Sequence, residues 1–248
     1  MPILELLEAA STSWDVGKQL WRAVPRGLQR RRFKRFFGRN VFEPDDVYAV
    51  VDPYHHPQDR TQPRYIKRSA GRGPDLRVYG ADLVLGESTL RFVAYASAAF
   101  ANLSNSRRPL AVVTDYDAFP RWNATFICYG SPDTNVKSRE IEHLPEQRFF
   151  RFPFGADGHR CWEVGGRRFG HEANADHGIL LRMRNPHSPG HFLFVCAGLS
   201  EWGSGGAAYY LFERWEILLK QFGENDFCCV LNVTLHSDQS ARVVLSVT

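Results

Sequence analysis

The pattern of hydrophobic and polar positions along the chain predicts strands that alternate with helices. Short apolar runs predict buried strands at 47–51, 110–119, 126–129 and 192–197, and turn-forming residues follow them. The alanine-rich stretch 87–103 carries apolar residues three or four positions apart, which predicts a buried helix. Strands that alternate with helices indicate an α/β fold with a central sheet.

The remaining segments add shorter elements and one long loop. Gly165-Gly166 lies between two strand-like pieces and predicts a two-residue hairpin turn. A strongly apolar stretch predicts a helix at 207–222, and strand patterns flank residues 236–240. The polar segment 53–81, rich in proline and glycine, predicts a loop. We therefore expect one α/β domain with an inserted β-hairpin.

The positive charge of the chain is concentrated in one segment. The 248 residues have a formal net charge of +4, but residues 16–42 hold nine Lys or Arg side chains and no acid. We expect residues 1–42 to form a basic helical arm and residues 43–248 to form the α/β domain. Two interpretations of the arm stay open. Its arginines and aromatic residues contact anionic lipid or nucleic-acid phosphate, or its aromatic residues pack on the domain or on a partner subunit.

Composition excludes several classes of protein. A hydrophobic fraction of 44% is sufficient for a real core, which excludes a disordered chain. No apolar stretch reaches the roughly 18–20 residues of a membrane span, so we expect no transmembrane segment. Met1–Ala10 is too acidic and too short for a secretory signal. Five cysteines without the spacing of a disulfide framework or a zinc site fit a cytoplasmic protein without a metal.

A glycine-containing turn follows the strand predicted at 126–129. A helix N-terminus presents unpaired N–H groups, and glycine allows the backbone to approach an oxyanion closely. This turn therefore predicts a ligand-binding set, and the alternative is an ordinary turn with a good helix cap. The predicted ligand-binding residues here are Gly130, Ser131, Pro132, Asn135 and Lys137.

A second turn, richer in glycine, follows the strand predicted at 192–197. It matches neither the dinucleotide-binding pattern G-x-G-x-x-G nor a phosphate-binding loop with Gly-Lys-Ser/Thr. It predicts a loop whose bare backbone accepts a phosphate or a ribose, and the alternative is tight packing of the next helix on the sheet. The predicted ligand-binding residues are Gly198, Trp202, Gly203, Ser204, Gly205 and Gly206.

Two carboxylates are candidates for catalysis. Glu201 lies in the middle of the second turn, where it can bind ribose hydroxyls or stabilise an oxocarbenium-like centre. Trp202 beside it can stack on a base. Asp115 and Asp117 are expected to end the strand at 110–119, at the rim of the same crevice. From these we take Glu201 and Asp115 as the candidate catalytic residues.

Residues 124–144 and 191–223, which contain the two turns, resemble nucleotide-processing proteins with Rossmann-like folds. The group includes nucleoside deoxyribosyltransferases, TIR domains and the SLOG/LOG proteins, whose glycine-rich start of a helix is matched in part by Gly203-Ser204-Gly205. The resemblance implies a Rossmann-like open, mostly parallel sheet with flanking helices. It also implies a nucleotide-type ligand, either NAD or another nucleotide.

Two functions follow from this reading. In the first, the protein is a hydrolase or transferase that cleaves the N-glycosidic bond of NAD or a nucleotide. In the second, the protein is a non-catalytic sensor of a nucleotide-derived signal, and its ligand drives assembly into a homo-oligomer. An interaction through the cationic and aromatic arm is a third hypothesis.

Overall fold

The computed structural model describes residues 25–43, 45–52, 86–103 and 110–248. The loop expected at 53–81 and the first part of the basic arm lie outside the described residues. Helices of the described chain are α1 (Arg26–Phe37), α2 (Glu87–Leu103), α3 (Asp115–Ala118), α4 (Val136–Glu142) and α5 (Glu201–Phe222), and a 3₁₀ turn spans Asp238–Ser240. The strands are β1 (Val47–Val51), β2 (Ala111–Thr114), β3 (Thr125–Tyr129), β4 (Phe150–Arg151), β5 (Trp162–Val164), β6 (Arg167–Phe169), β7 (Ala175–Arg184), β8 (Phe192–Gly198), β9 (Phe227–Thr234) and β10 (Arg242–Val247).

Seven strands form the central sheet in the order β10-β9-β7-β8-β3-β1-β2. The pairs β1–β2, β1–β3 and β3–β8 are parallel, whereas β7 is antiparallel to both β8 and β9, and β10 is antiparallel to β9. Five of the seven strands therefore point in one direction. This confirms the expected α/β fold, a Rossmann-like open and mostly parallel sheet with flanking helices.

Both faces of the sheet are covered, which explains why the inner strands are almost wholly apolar. Alternate residues of each strand face opposite layers, because the side-chain period of a strand is two. Ala49 and Val51 of β1 pack in the core shared with α1, α2 and α5, whereas Tyr48 and Val50 pack in the core on the other face. That second core includes α3, α4 and a small antiparallel sheet of β4, β5 and β6.

The small sheet contains the predicted hairpin. Gly165 and Gly166 join β5 to β6 with φ angles of 56° and 74°, a conformation that favours glycine at both positions. Trp162 of β5 is fully buried, and its indole N–H donates to the carbonyl of His177 on β7 at 3.0 Å. The inserted hairpin is thus confirmed, and its tryptophan anchors it to the central sheet.

The strand expected at 110–119 is shorter than its apolar pattern suggests. It ends at Thr114, whose hydroxyl accepts the N–H of Asp117 and caps α3. Asp115 and Asp117 consequently lie in a short helix, so the expectation that they end the strand is wrong. The capping hydrogen bond of Thr114 competes with continuation of an edge strand that pairs on one side with β1 alone.

Helix α5 begins six residues earlier than its apolar pattern predicts. Ser200 is its N-cap, so the glycines expected in a loop form the first turns of the helix. A Cβ atom on Gly205 would lie 2.5 Å from Oδ1 of Asp238, and one on Gly206 would lie 2.5 Å from Cγ2 of Val233. The glycines therefore allow α5 to approach the sheet and the loop after β9, which agrees with the packing alternative for this segment.

The aromatic face of α1 belongs to the core. Phe33, Phe36 and Phe37 are fully buried together with residues of α2 and α5, which agrees with packing of these side chains on the domain. The C-terminal end of α1 is held by Arg182 of β7, whose guanidinium donates to the carbonyls of Phe36 and Arg35 at 2.9 and 3.4 Å. Arg182 also donates to the carbonyl of a loop residue, Asn225, at 2.9 Å. Burial lowers the pKa of Arg182 to about 10.

Replacement of Arg182 tests how firmly α1 is held. We expect Arg182→Met to lower the free energy of unfolding by about 2–4 kcal/mol, because buried carbonyls lose their charged donor. Arg184→Met is the matched control, since Arg184 lies on the same strand but is exposed, and its loss should cost less than about 1 kcal/mol. Urea denaturation measures both values. Equal effects of the two substitutions would contradict the role given to Arg182.

Two glycine-to-alanine substitutions test the close packing of α5. We expect Gly205→Ala to destabilise the protein by about 1–3 kcal/mol, because its methyl group collides with a buried carboxylate. Gly27 of α1 has no neighbouring atom within 4 Å of the position that a Cβ would occupy, so Gly27→Ala should instead stabilise the protein, by up to about 1 kcal/mol. Thermal unfolding of both variants gives the signs. A stabilising Gly205→Ala would show that α5 does not need this close approach.

Candidate functional site

The two glycine-containing segments lie side by side at the carboxyl edge of the sheet. Strands β3 and β8 are parallel neighbours, and the N–H of Gly130 after β3 donates to the carbonyl of Cys196 near the end of β8 at 3.0 Å. Gly130 has a φ of 114°, a conformation that favours glycine, and a Cβ there would approach the side chain of Thr134. The edge at which an open α/β sheet binds its ligands is thus formed by the segments that the sequence indicates.

The N-terminus of α4 is already occupied by polar side chains of the protein. The N–H of Val136 donates to Oδ2 of Asp115 at 2.8 Å, and the N–H of Ser138 donates to Oδ1 of Asn135 at 2.9 Å. Asp115 and Asn135 are both fully buried. The amide of Asn135 also donates to the carbonyl of Tyr129 at 3.0 Å and fastens the turn to β3. Asn135 therefore acts as a helix cap here, and the carboxylate of Asp115 has no exposed surface.

Lys137 faces away from the first turn. Its side chain is fully buried, and Nζ donates to the carbonyl of Arg121 at 2.7 Å and to Glu140 at 3.0 Å. Nζ also lies 3.3 Å from the centre of the Trp122 ring. Burial lowers the pKa of this lysine, and the contact with Glu140 opposes the shift. A cation held in this way fastens α4 to the preceding loop and does not reach a ligand at the turn.

Ser131 and Pro132 shape the first turn from within. Both are buried, and the carbonyl of Ser131 accepts the N–H of Asn135 at 2.9 Å. The carbonyl of Pro132 accepts Nε of Arg139 at 2.7 Å. Lys137 and Arg139, the cations near the start of α4, are thus both bound to groups of the protein itself.

The N-terminus of α5 is also capped by a carboxylate of the protein, that of Asp176 on β7. Its Oδ2 accepts the N–H and the hydroxyl of Ser200 at 2.9 and 2.6 Å and the N–H of Gly203 at 2.6 Å. The hydroxyl of Ser204 accepts the N–H of Gly198 at 2.8 Å. A carboxylate at this end of a helix is stabilised by the helix dipole. The position at which the sequence predicts a phosphate or ribose is therefore filled from within.

Glu201 and Trp202, at the start of α5, remain accessible. Glu201 is exposed, and Trp202 is half-buried. The guanidinium carbon of Arg91 lies 4.8 Å from the centre of the Trp202 ring, and the His236 ring lies 4.6 Å from it in an edge-on arrangement. Trp202 thus lies beside the first turns of α2.

A polar cluster that the sequence analysis missed lies between α2 and α5. Nε of Arg91 donates to Oδ2 of Asp238 at 2.9 Å, and the hydroxyl of Tyr95 donates to the same oxygen at 3.1 Å. Arg91 also pairs with Glu87 at 2.6 Å. Asp238 is far in the sequence from the residues of α2 that it contacts, and none of them belongs to a local motif that could have indicated the cluster.

Three buried atoms of this region lack a hydrogen-bond partner. They are Nη2 of Arg91, Oδ1 of Asp238 and the hydroxyl of Tyr129, the last residue of β3. Oδ1 of Asp176, at the N-terminus of α5, is a further buried atom of this edge without a partner. Tyr129 is stacked on Phe92 of α2, with ring centres 4.8 Å apart. Burial and the negative charge of Asp238 raise the pKa of Tyr129, with Ser88 and Arg91 opposing the shift. The Tyr129 phenol is therefore neutral and able to donate a hydrogen bond near neutral pH.

The side chains at this edge carry more negative than positive charge. Burial and then Asp238 raise the pKa of Tyr95 to about 12, so this phenol carries no charge near neutral pH. The site just described contains one guanidinium, that of Arg91, and four carboxylates: Glu87, Asp176, Glu201 and Asp238. This excess favours hydroxyl groups or positive charge over phosphate.

In the part of the chain that the structure describes, no group of three or more His, Cys, Asp or Glu side chains is placed to hold a metal ion. None of its helices combines the length and the apolar character needed to span a bilayer. The chain matches no protein-family model, no curated protein and no solved structure.

Proposed function

We propose that the protein binds a nucleotide-type small molecule at the carboxyl edge of the sheet, through the sugar and the base. The observation that carries this proposal is the set of two unpaired buried donors on Arg91 and Tyr129. A buried polar atom without a partner costs about 1–3 kcal/mol, so such a set is typical of a position where a ligand or ordered water supplies the missing hydrogen bonds. The edge itself is where open α/β sheets bind ligands.

The chemistry of the cluster supports a sugar better than a phosphate. Nη2 of Arg91 and the hydroxyl of Tyr129 offer donors, and a ribose hydroxyl can accept from both. Oδ1 of Asp238 lies against Gly205 of α5, so this atom is not offered to the ligand. Trp202 is half-buried, with Arg91 over one face of its ring and His236 edge-on to it, so a base would contact the part of the ring that these two leave exposed. Because the neighbouring carboxylates repel phosphate, the phosphate groups of the ligand are expected to point towards solvent.

Two activities fit such a ligand. In the first, NAD or another nucleotide is a substrate, and Glu201 stabilises the positive charge that develops when the N-glycosidic bond breaks. In the second, the protein is a sensor without catalysis, and ligand binding drives assembly. The burial of Asp115 beneath α4 favours the second, since it leaves Glu201 as the accessible member of the two predicted catalytic carboxylates.

We likewise propose, and do not conclude, that the chain is related to the deoxyribosyltransferases, TIR domains and SLOG/LOG proteins that it resembles. A cytoplasmic location is also proposed. It is supported by the cysteines, Cys128, Cys161, Cys196, Cys228 and Cys229, which are all free and buried.

Thermal unfolding with adenosine, AMP, NAD and inorganic phosphate tests the binding site. We expect adenosine, AMP and NAD to raise the melting temperature and phosphate alone to leave it unchanged, because a ligand that binds only the folded state stabilises it. Tyr129→Phe should weaken binding about tenfold, the loss of one buried hydrogen bond, and should lower the stability of the ligand-free protein by less than about 1 kcal/mol, because the hydroxyl makes at most a weak contact with Ser88 there. Tyr48→Phe, on the opposite face of the sheet, is the control and should leave binding unchanged.

The same samples separate the two activities. Release of free base from NAD or AMP, measured by chromatography and lost in Glu201→Gln, would identify the protein as a glycohydrolase. Stabilisation without release of base would identify a sensor. If no member of the panel raises the melting temperature, or if Tyr129→Phe binds as tightly as the wild type, the proposed site is wrong.

A further inference from the structure

A groove of about 630 Å³ lies at the opposite, amino edge of the sheet. One wall is the C-terminal half of α1, and the other is formed by Arg184 at the end of β7, the turn that leads into β8, and Glu224. Because β7 runs antiparallel to β8, the end of β7 lies at the edge where β8 begins, away from the cluster around Arg91. The groove is therefore separate from the proposed nucleotide site.

The groove is strongly cationic. Five cations and one carboxylate line it, which gives a formal charge of +4 before His191 is considered: Arg31, Lys34, Arg35, Arg39, Arg184 and Glu224. Glu224 pairs with Arg35 at 2.6 Å, and both side chains are more than half exposed. Asp226, outside the lining, pairs with Arg184 at 3.8 Å, so two of the five cations have an acidic partner. Neither Arg31 nor Arg39 forms an ion pair with another described residue. Exposed cations gathered in this way raise the local concentration of an anionic partner.

Three cations of the groove belong to an element, α1, that hydrogen bonds hold to the sheet. Lys34 and Arg35 follow Arg31 by three and four residues, so the three side chains share one side of α1, and Arg39 follows just after the helix. A helical rise of 1.5 Å per residue spreads the three helical positions over about 6 Å along the axis, and Arg39 extends the row beyond the helix end. Arg182 and the hydroxyl of Thr125 bind the last carbonyls of α1, so the row keeps its position relative to Arg184.

We propose that this groove binds the phosphodiester backbone of a nucleic acid without reading its sequence. A row of cations suits a chain of phosphates better than a single phosphate. Two aromatic rings belong to the lining, Phe192 and His191. The guanidinium of Arg182 covers Phe192 at 3.9 Å, and His191 is mostly buried, with Nδ1 bonded to the hydroxyl of Ser188 at 2.8 Å. Base stacking, the usual source of affinity for single strands, is thus not provided.

A lipid surface fits the groove less well. An amphipathic helix that binds a bilayer inserts its apolar face, and α1 buries Phe33, Phe36 and Phe37 in the protein core. The groove is also concave, whereas a bilayer surface is flat. Binding to anionic lipid would therefore depend on electrostatic attraction, without insertion of apolar side chains into the bilayer.

Fluorescence anisotropy of a labelled DNA duplex of mixed sequence, with the full chain at several salt concentrations, tests the proposal. The variant Arg31→Gln/Arg39→Gln removes the two arginines that form no ion pair with a described residue. It should lower the affinity for the duplex at least about tenfold near 0.1 M salt. The slope of log K against log salt should become shallower by about 2, because each phosphate contact contributes about 0.9 to that slope. Glu224→Gln removes the carboxylate of the groove and should act in the opposite direction, with tighter binding and a steeper slope.

The control variant Arg167→Gln/Arg242→Gln removes the same charge from two exposed arginines outside the groove. It should change affinity much less than the groove variant. Equal weakening by the two pairs would overturn the proposal in favour of a general charge effect. Binding to phosphatidylserine vesicles or tripolyphosphate in place of the duplex would overturn it in favour of another anion. Adenosine binding at the other edge should be unchanged in all these variants, so each proposal can fail independently.

Discussion

Glycines in the first turns of α5 set the distance between this helix and the sheet. Gly203, Gly205 and Gly206 face Asp176, Asp238 and Val233 at separations that leave no room for a methyl group. Because α5 is the long helix on its side of the sheet, α1 and α2 pack against a position that these glycines fix. The carboxylate of Asp176 completes this contact by accepting the first N–H groups of α5. Helical glycine is unfavourable by itself, and here the close packing of the helix offsets that cost.

Internal carboxylates also decide which groups remain for a ligand. Asp115 caps α4 and Asp176 caps α5, so the two helix ends beside the carboxyl edge have their negative partners within the chain. Affinity for a ligand at this edge must therefore come from side chains. Arg91, Tyr129, Asp176 and Asp238 each have a buried side-chain atom without a hydrogen-bond partner. Arg91 and Tyr129 are the donors on which the proposed binding of a sugar rests.

The sequence predicts those parts of the structure that depend on local periodicity. The helix at Glu87–Leu103 agrees with its prediction at both ends, and the inner strands follow from their apolar runs, because burial of both faces leaves a continuous apolar pattern. The start of α5 was not predictable in this way, since the groups that favour a helix there, Asp176 and Asp238, lie elsewhere in the chain. For the same reason the cluster around Arg91 was missed, and Lys137 was expected to face a ligand when distant carbonyls bind it.

Strand β7 connects the two edges of the molecule. Asp176 near its start holds α5, and Arg182 near its end holds α1, with both side chains on the same face of the strand. Hydrogen bonds join β7 to β8 on one side and to β9 on the other, and a shift of register by one residue would turn both charged groups to the wrong face. Strand β7 thus keeps Asp176 and Arg182 at a set distance from each other. It therefore fixes the distance between the proposed nucleotide site at one edge of the sheet and the proposed nucleic-acid groove at the other.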